Sequence, residues 1–214
     1  MIWNPTEGID LGFFMIRFYS LTWVTAFALG WYITKFIFKR ENEPIEKLDN
    51  LFVYTIVATM LGARLGHVIF YQPELFSEDP LSVLLPISTK PELHFTGFSG
   101  LASHGAAIGA IISMYLYSKK VLKKPILYIL DRIVIPSALG AMFVRLGNLM
   151  NSEIIGKHTN SDFGFVFKRL GEDFPRHPAQ LYEAFCYLII FGILMFVYWK
   201  TDKKQQTGYL FGLF

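Results

Sequence analysis

Apolar positions along this chain come in long, nearly unbroken runs, and the polar positions are swept to the ends of those runs. A helix needs about 20 consecutive apolar residues to cross the hydrocarbon core of a bilayer. Five runs reach that length: Phe13–Phe38, Leu51–Tyr71, Thr96–Ser118, Ile126–Met150 and Leu181–Lys200. A sixth begins at Thr207 and reaches Phe214, too short to span. The pattern predicts an all-α fold: a polytopic integral membrane helix bundle, one transmembrane domain over residues 1–214, with five full spans and the start of a sixth. The alternative is a soluble protein with buried helices, but a soluble core of this size rarely needs five such runs. The first run carries Arg17 and no small-residue cleavage site, so it is expected to be a retained helix and not a signal peptide.

Composition agrees. The chain is 53% hydrophobic and 17% charged, with a mean hydropathy of +0.38, whereas soluble domains carry about 25% charged residues. The single cysteine, Cys186, lies inside the fifth run, which rules out an intrachain disulfide and predicts a buried structural thiol. No internal repeat is visible, which weakens a transporter reading, since many transporters are built from two related halves.

The net charge of +3 matters less than its distribution. Residues 1–12 carry no Lys or Arg, and the loop after the second run is acidic, with Lys90 as its one cation. Lys39, Arg40 and Lys47 follow the first run, "KKVLKK" (Lys119–Lys124) the third, and Lys200, Lys203 and Lys204 the fifth. The excess of Lys and Arg in cytoplasmic loops puts those three loops inside and the N-terminus outside. Residues 151–178 mix Lys157, Lys168, Arg169 and Arg176 with Glu153, Asp162, Glu172 and Asp173, and are expected to form a small outer-face loop module.

Ionisable groups within membrane spans are costly and point to function by default. At about 1.5 Å of rise per residue, Tyr19, Arg64, His104, Arg145, His177 and Glu183 fall at one depth, near the outer ends of five different spans. Each has a plainer reading as well. Arg64 lies between Gly62 and Gly66, a spacing that lets helices approach closely, and could simply snorkel to the interface. His67 and Tyr71 suit an aromatic belt, and His104 could be a packing hydrogen-bonder. It sits in a stretch, Gly97 to Ala110, where ten residues are Gly, Ala or Ser. Asp131 and Arg132, adjacent at the inner end of the fourth run, are expected to point apart as an interfacial anchor.

Two stretches are dense in polar groups. In "RLGNLMNSEIIG" (Arg145–Gly156), Arg145, Asn148 and Asn151 are three apart and share a helix face. Gly147 leaves room beside the arginine, and Gly156 permits a turn. A fixed guanidinium flanked by amides suits a phosphate, whose oxygens match the planar fork. A structural Arg145–Glu153 pair is the alternative. In "RHPAQLYEA" (Arg176–Ala184), Pro178 starts the fifth helix, Gln180 and Glu183 are three apart, and Glu183 is expected to pair with an arginine of another helix.

Taken together, these segments resemble the bacterial prolipoprotein diacylglyceryl transferase family. The resemblance rests on "RFYS" (Arg17–Ser20), "LGARLGHVIFY" (Leu61–Tyr71), "SHGAAIG" (Ser103–Gly109), "DRIVIP" (Asp131–Pro136), "RLGNLMNSEIIG" and "RHPAQLYE", in family order and spacing over nearly the whole chain. It implies transfer of a diacylglyceryl group from phosphatidylglycerol to the thiol of a lipobox cysteine in the prolipoprotein signal peptide. A thioether forms and glycerol phosphate leaves, the first step of lipoprotein maturation. It further implies a multi-pass protein of the bacterial cytoplasmic (inner) membrane with its active site at the outer leaflet, in contact with membrane lipids and without nucleic acid.

On the same ground, His104 is the expected base for the thiol, and Arg145 is the phosphate-binding catalytic residue. Asn148, Asn151, Tyr19, Arg64 and Gly105 are expected to contact the headgroup, with Glu153, Gly156, His177, Gln180, Tyr182 and Glu183 supporting. No cofactor and no metal are expected. The chain departs from the family in reading His104-Gly105-Ala106 where His-Gly-Gly is usual, and Ser20 where Gly is usual. The family also continues past the sixth run with a Tyr, an Arg, a Glu and a seventh helix. The 214 residues are therefore read as an incomplete chain whose activity depends on that part. Two other classes compete: a lipid-binding or transport protein using the same polar cavity without turnover, and a structural membrane subunit whose polar residues only join helices.

Overall fold

The structure, a computed structural model, describes residues 1–13, 15–96 and 100–214. The long helices are α1 (Phe18–Arg40), α2 (Ile45–Tyr71), α5 (Ile126–Met150) and α6 (Ala179–Lys200), with the shorter α4 (Ser103–Tyr117) between α2 and α5. Two small helices are α3 (Leu75–Glu78) and α7 (Tyr209–Leu213). Six short strands pair two by two: β1 (Ile2–Trp3) runs parallel to β6 (Val166–Phe167), while β2 (Gly8–Asp10) with β3 (Met15–Arg17) and β4 (Ile87–Ser88) with β5 (His94–Phe95) are antiparallel. The protein is thus mostly helical, with strands confined to the connections.

Among the described residues, four helices are long and apolar enough to cross a membrane: α1, α2, α5 and α6. Apolar side chains such as Val24, Phe27, Ile56, Phe185 and Phe196 stay exposed on them. That is the surface expected where lipid is the solvent, because only closed backbone hydrogen bonding is needed there and no apolar face has to be hidden. Cys186 is one of the exposed positions on α6, so the buried thiol expected from sequence is not observed. A fully apolar helix gives no periodic cue to which side faces inward.

Several predicted boundaries shift. The first run was expected to be helical from Phe13, but Met15–Arg17 form β3, paired with β2, and α1 starts at Phe18. The third run was expected from Thr96, but α4 starts at Ser103 and has 15 residues, about 22 Å of rise. Gly100, at φ +67°, sits in the left-handed region and stops any helix before it. Gly97–Ser99, also part of that run, lie outside the described residues. At the other end α4 passes into one π-helical turn, Ser118–Leu122.

The chain divides into two compact units, Met1–Glu41 with Leu130–Phe214, and Asn42–Ile129. In the second unit, α2 and α4 meet through glycines. A Cβ on Gly66 would lie 2.7 Å from the Cα of Gly105, and one on Gly62 would lie 3.0 Å from the Cα of Gly109. Backbone therefore touches backbone, the van der Waals packing that small residues allow between membrane helices.

In the first unit, α1, α5 and α6 share a core that includes Ile37, Ile135, Ala138 and Leu194, all fully buried. One end of this unit holds a buried polar knot. Glu41 accepts Arg132 Nη2 at 3.1 and 3.2 Å and the Tyr198 hydroxyl at 2.9 Å. Asp131 accepts the backbone N–H groups of Gly208 and Phe211 at the start of α7. Asp131 and Arg132 are both buried, and their side chains approach to 3.7 Å. They do not point apart as expected: Asp131 meets the segment carrying α7 and Arg132 meets Glu41, and both stay buried.

Candidate active site

In the first unit, the polar residues expected from sequence gather at the end opposite the Glu41 knot. Arg145 lies 13 residues beyond Arg132 on α5, about 20 Å along the helix. Its Nε sits 2.5 Å from Oε2 of Glu183 on α6, so Glu183 has the interhelical arginine expected for it. No hydrogen bond to Nη1 or Nη2 of Arg145 occurs among the described residues, and the side chain is one-quarter exposed. Gly147 faces α1: a Cβ there would lie 3.1 Å from the Tyr19 ring. Tyr19 thereby lies against α5 at Gly147, two residues along the chain from Arg145.

Glu153 takes amides and not the arginine. Asn148 Nδ2 donates to its Oε2 at 3.2 Å and Asn151 Nδ2 to its Oε1 at 3.1 Å. The Arg145–Glu153 pair weighed from sequence does not form. The backbone makes this possible. After α5, Ser152 and Ile154 both have positive φ, 56° and 51°. A β-branched residue in that region is an outlier that costs about 1–3 kcal/mol and concentrates at functional sites. The reversal brings the Glu153 N–H to the Asn148 carbonyl at 2.9 Å and folds its carboxylate back over α5.

Gln180, from the first turn of α6, donates to the Glu153 carbonyl at 2.5 Å. Gly156 donates its N–H to the His177 carbonyl, and a Cβ on it would lie 2.9 Å from that of His177. His177 Nδ1 is 3.1 Å from the Tyr182 hydroxyl. Three buried polar atoms around Glu153 have no hydrogen-bond partner among the described residues: Asn148 Oδ1, Ser152 Oγ and Gln180 Oε1. Buried polar atoms are rarely left so, and such a cluster marks a place where water or ligand hydroxyls complete the set.

In the second unit, His104 is the second residue of α4, not two turns inside a span, because α4 begins only at Ser103. Its ring is held by aromatic faces, with Phe70 at 5.0 Å and Tyr71 at 5.9 Å between centroids. Neither ring nitrogen has a hydrogen-bond partner among the described residues, and the residue is exposed. Gly105, next to it, is buried in the glycine contact with α2.

Arg64 gives its nitrogens to backbone: Nε to Val83 at 3.0 Å, Nη2 to Ser82 at 2.5 Å and Nη1 to Gly100 at 3.3 Å. This is the geometry of a loop clamp. That loop is closed a second time by Asp79, which accepts the Thr89 N–H and the Thr89 and Ser88 hydroxyls. These bonds, the Thr89 N–H first, hold the Asp79 carboxyl down at about 2.

Residues 7–214 match the family described as prolipoprotein diacylglyceryl transferase. The chain belongs to that family. Among its relatives, a phosphatidylglycerol–prolipoprotein diacylglyceryl transferase of Tolumonas auensis is 40% identical over 215 residues, 100% of this chain and 79% of the relative. Proteins of the same name from Bacteroides fragilis and Rickettsia typhi are 40% identical over 214 residues and 36% over 208, covering 99% and 96% of this chain and 76% of each relative. Membership and the four membrane-length helices together make this a multi-pass membrane protein.

Sequence reasoning missed two supports of this polar end. Trp3 Nε1 donates to the Leu149 carbonyl at 3.0 Å, satisfying a free carbonyl in the last turn of α5, and the N-terminal ammonium donates to Gly164 at 2.7 Å. The start of the chain therefore pairs, as β1, with β6 inside residues 151–178. A Trp near the terminus was the available signal, but it carries no partner in sequence. The left-handed Ser152 and Ile154 had no signal, since neither residue type favours that region.

Proposed function

We infer that this protein transfers the diacylglyceryl group of phosphatidylglycerol to the thiol of a lipobox cysteine in prolipoproteins, the first step of bacterial lipoprotein maturation. The match over residues 7–214 carries this reading. It is supported by Arg145, whose two terminal nitrogens are unpaired among the described residues at a polar helix end.

In the reaction, the cysteine sulfur forms a bond to the glyceryl carbon, and the bond from that carbon to the phosphate oxygen breaks. Glycerol phosphate leaves with the electron pair, and the thiol proton passes to a base. A thiol with an ordinary pKa near 8.5 needs that base at neutral pH. His104, flanked by aromatic rings and with no side-chain hydrogen bond among the described residues, is the group we assign to it. Arg145 holds the phosphate through Nη1 and Nη2 and offsets the charge that develops on the leaving group. Glu183 fixes the Arg145 side chain from Nε. The orphaned acceptors Asn148 Oδ1 and Gln180 Oε1, with the Ser152 hydroxyl, suit the hydroxyl donors of a glycerol headgroup. Tyr19 and Asn151 line the same end of that unit, and Gly105 keeps the backbone beside His104 bare. We place the protein in the cytoplasmic membrane with its N-terminus and this polar end at the outer leaflet, following the Lys and Arg distribution.

The test is to supply the reconstituted protein with phosphatidylglycerol and a lipobox peptide and to look by mass spectrometry for a diacylglyceryl thioether. Arg145→Ala should lose product by at least about a hundredfold, the loss typical of one charge-stabilising donor, while still inserting. His104→Gln should fall similarly. Full product from His104→Gln would remove the base assignment, and lipid binding without any product from the native chain would favour a carrier.

A further inference from the structure

The other end of the first unit, about 20 Å along α5 from Arg145, has a feature the transfer reaction does not use. Arg40 closes α1, and its guanidinium lies 4.2 Å over the ring of Trp199 and 5.5 Å over that of Tyr198. Lys204, in the turn after α6, places Nζ 5.6 Å from the same Tyr198 ring. Two cations therefore share one aromatic platform. Neither side chain makes a hydrogen bond or ion pair to the protein among the described residues.

The acids nearby do not meet them. Glu41 is committed to Arg132 and the Tyr198 hydroxyl, and Asp131 to the backbone of Gly208 and Phe211. Asp202 is exposed and pairs with neither cation. Lys39, Lys200 and Lys203 add further positive charge around the platform. The C-terminal ends of α1 and α6, each with the negative end of a helix dipole, meet here and stabilise the cations in place.

We propose that Arg40 and Lys204, across the rings of Trp199 and Tyr198, form a second anionic-lipid site that holds a phospholipid phosphate at the basic end of the first unit. Three features favour a lipid as occupant. Two helices of membrane-crossing length, α1 and α6, end at this cluster, which sets it at the depth of headgroup phosphates. Trp199 is 37% exposed beside the cations, as an interfacial aromatic is. The platform leaves the edge of the Arg40 fork free, and that edge matches phosphate oxygens. Snorkelling alone would send the two side chains apart into water; stacked on shared rings they stay together without a protein anion.

The experiment counts lipids retained by the purified protein by native mass spectrometry. The protein is taken from nanodiscs of phosphatidylcholine containing a minor fraction of phosphatidic acid. An Arg145→Ala background removes the other anion-binding arginine. In that background phosphatidic acid should remain bound in preference to phosphatidylcholine. Adding Arg40→Gln and Lys204→Gln should lower its occupancy about tenfold or more, as expected for losing charged hydrogen bonds to a phosphate. The charge-conserving exchange Arg40→Lys with Lys204→Arg should keep occupancy within about threefold, and raised salt should release the lipid from the unsubstituted site. The last two arms decide the matter if the glutamine variant fails to fold. Equal retention with and without the glutamine changes, equal retention of phosphatidylcholine, or indifference to salt would each overturn the proposal. So would displacement of the lipid by a short RNA or an acidic peptide, which would make this a macromolecular docking surface.

Discussion

The buried carboxylate of Asp131 on α5 accepts the backbone N–H of Gly208 at 2.6 Å, and its second oxygen takes that of Phe211 at 2.9 Å. A helix N-terminus has N–H groups without internal partners, and a carboxylate there satisfies them and meets the positive end of the dipole. Asp131 thus latches the last segment of the chain, with Leu210 fully buried beneath it. Asp131→Ala should free residues 207–214, seen as faster amide exchange confined to that segment, and cost about 1–3 kcal/mol of stability. Unchanged exchange there would show that Leu210 alone holds the segment. Asp131→Asn, which keeps one acceptor oxygen, should fall between.

The glycine contact between α2 and α4 makes a second prediction. In Gly105→Ala the new Cβ would lie 2.9 Å from the Cα of Gly66, and closer still to the Gly62 carbonyl oxygen. Backbone on both sides cannot step aside, so the helices must separate, at a cost of about 1–3 kcal/mol or more. Nothing lies within 4 Å of a Cβ on Gly192 in α6. Gly192→Ala should therefore be neutral or stabilise by up to about 1 kcal/mol. Thermal unfolding in detergent, run on the two variants side by side, checks the contrast.

Arg64→Lys separates the clamp from the charge. Lysine keeps the positive charge but cannot reach three carbonyls from a planar fork. If the clamp matters, amide exchange over residues 80–95 should rise in Arg64→Lys, and transfer activity should fall with it. Native exchange with lost activity would instead mean that the guanidinium contacts the substrate.

Asp79 gives a pH dependence. Its folded pKa, about 2, lies below the ordinary 3.8, so it contributes stability at pH above the ordinary value and loses it as pH falls toward 2. Amide exchange of residues 80–95, corrected for the intrinsic rate, should therefore rise on going from pH 4 to pH 2. In Asp79→Asn the same segment should be loose already at neutral pH, with little further change on acidification.

Much of this protein could be read along the chain. Long apolar runs give helices wherever they stand, because backbone polar groups in lipid must bond within their own segment; α5 runs over Ile126–Met150, the boundaries read from sequence. The family was legible too, since "RLGNLMNSEIIG" and "RHPAQLYE" carry several fixed polar positions each in otherwise apolar surroundings. Tertiary structure alone decided the partners. Glu183 took Arg145 and Glu153 took two amides because Ser152 and Ile154 turn left-handed after α5. Arg64 met carbonyls 18 to 36 residues away in sequence, and Asp131 met the end of the chain. Hydropathy is a property of each residue and its near neighbours and so is written locally. A hydrogen-bond partner depends on where the chain returns, and in a membrane protein the uniformly apolar helix faces carry no periodic signal to say where that is.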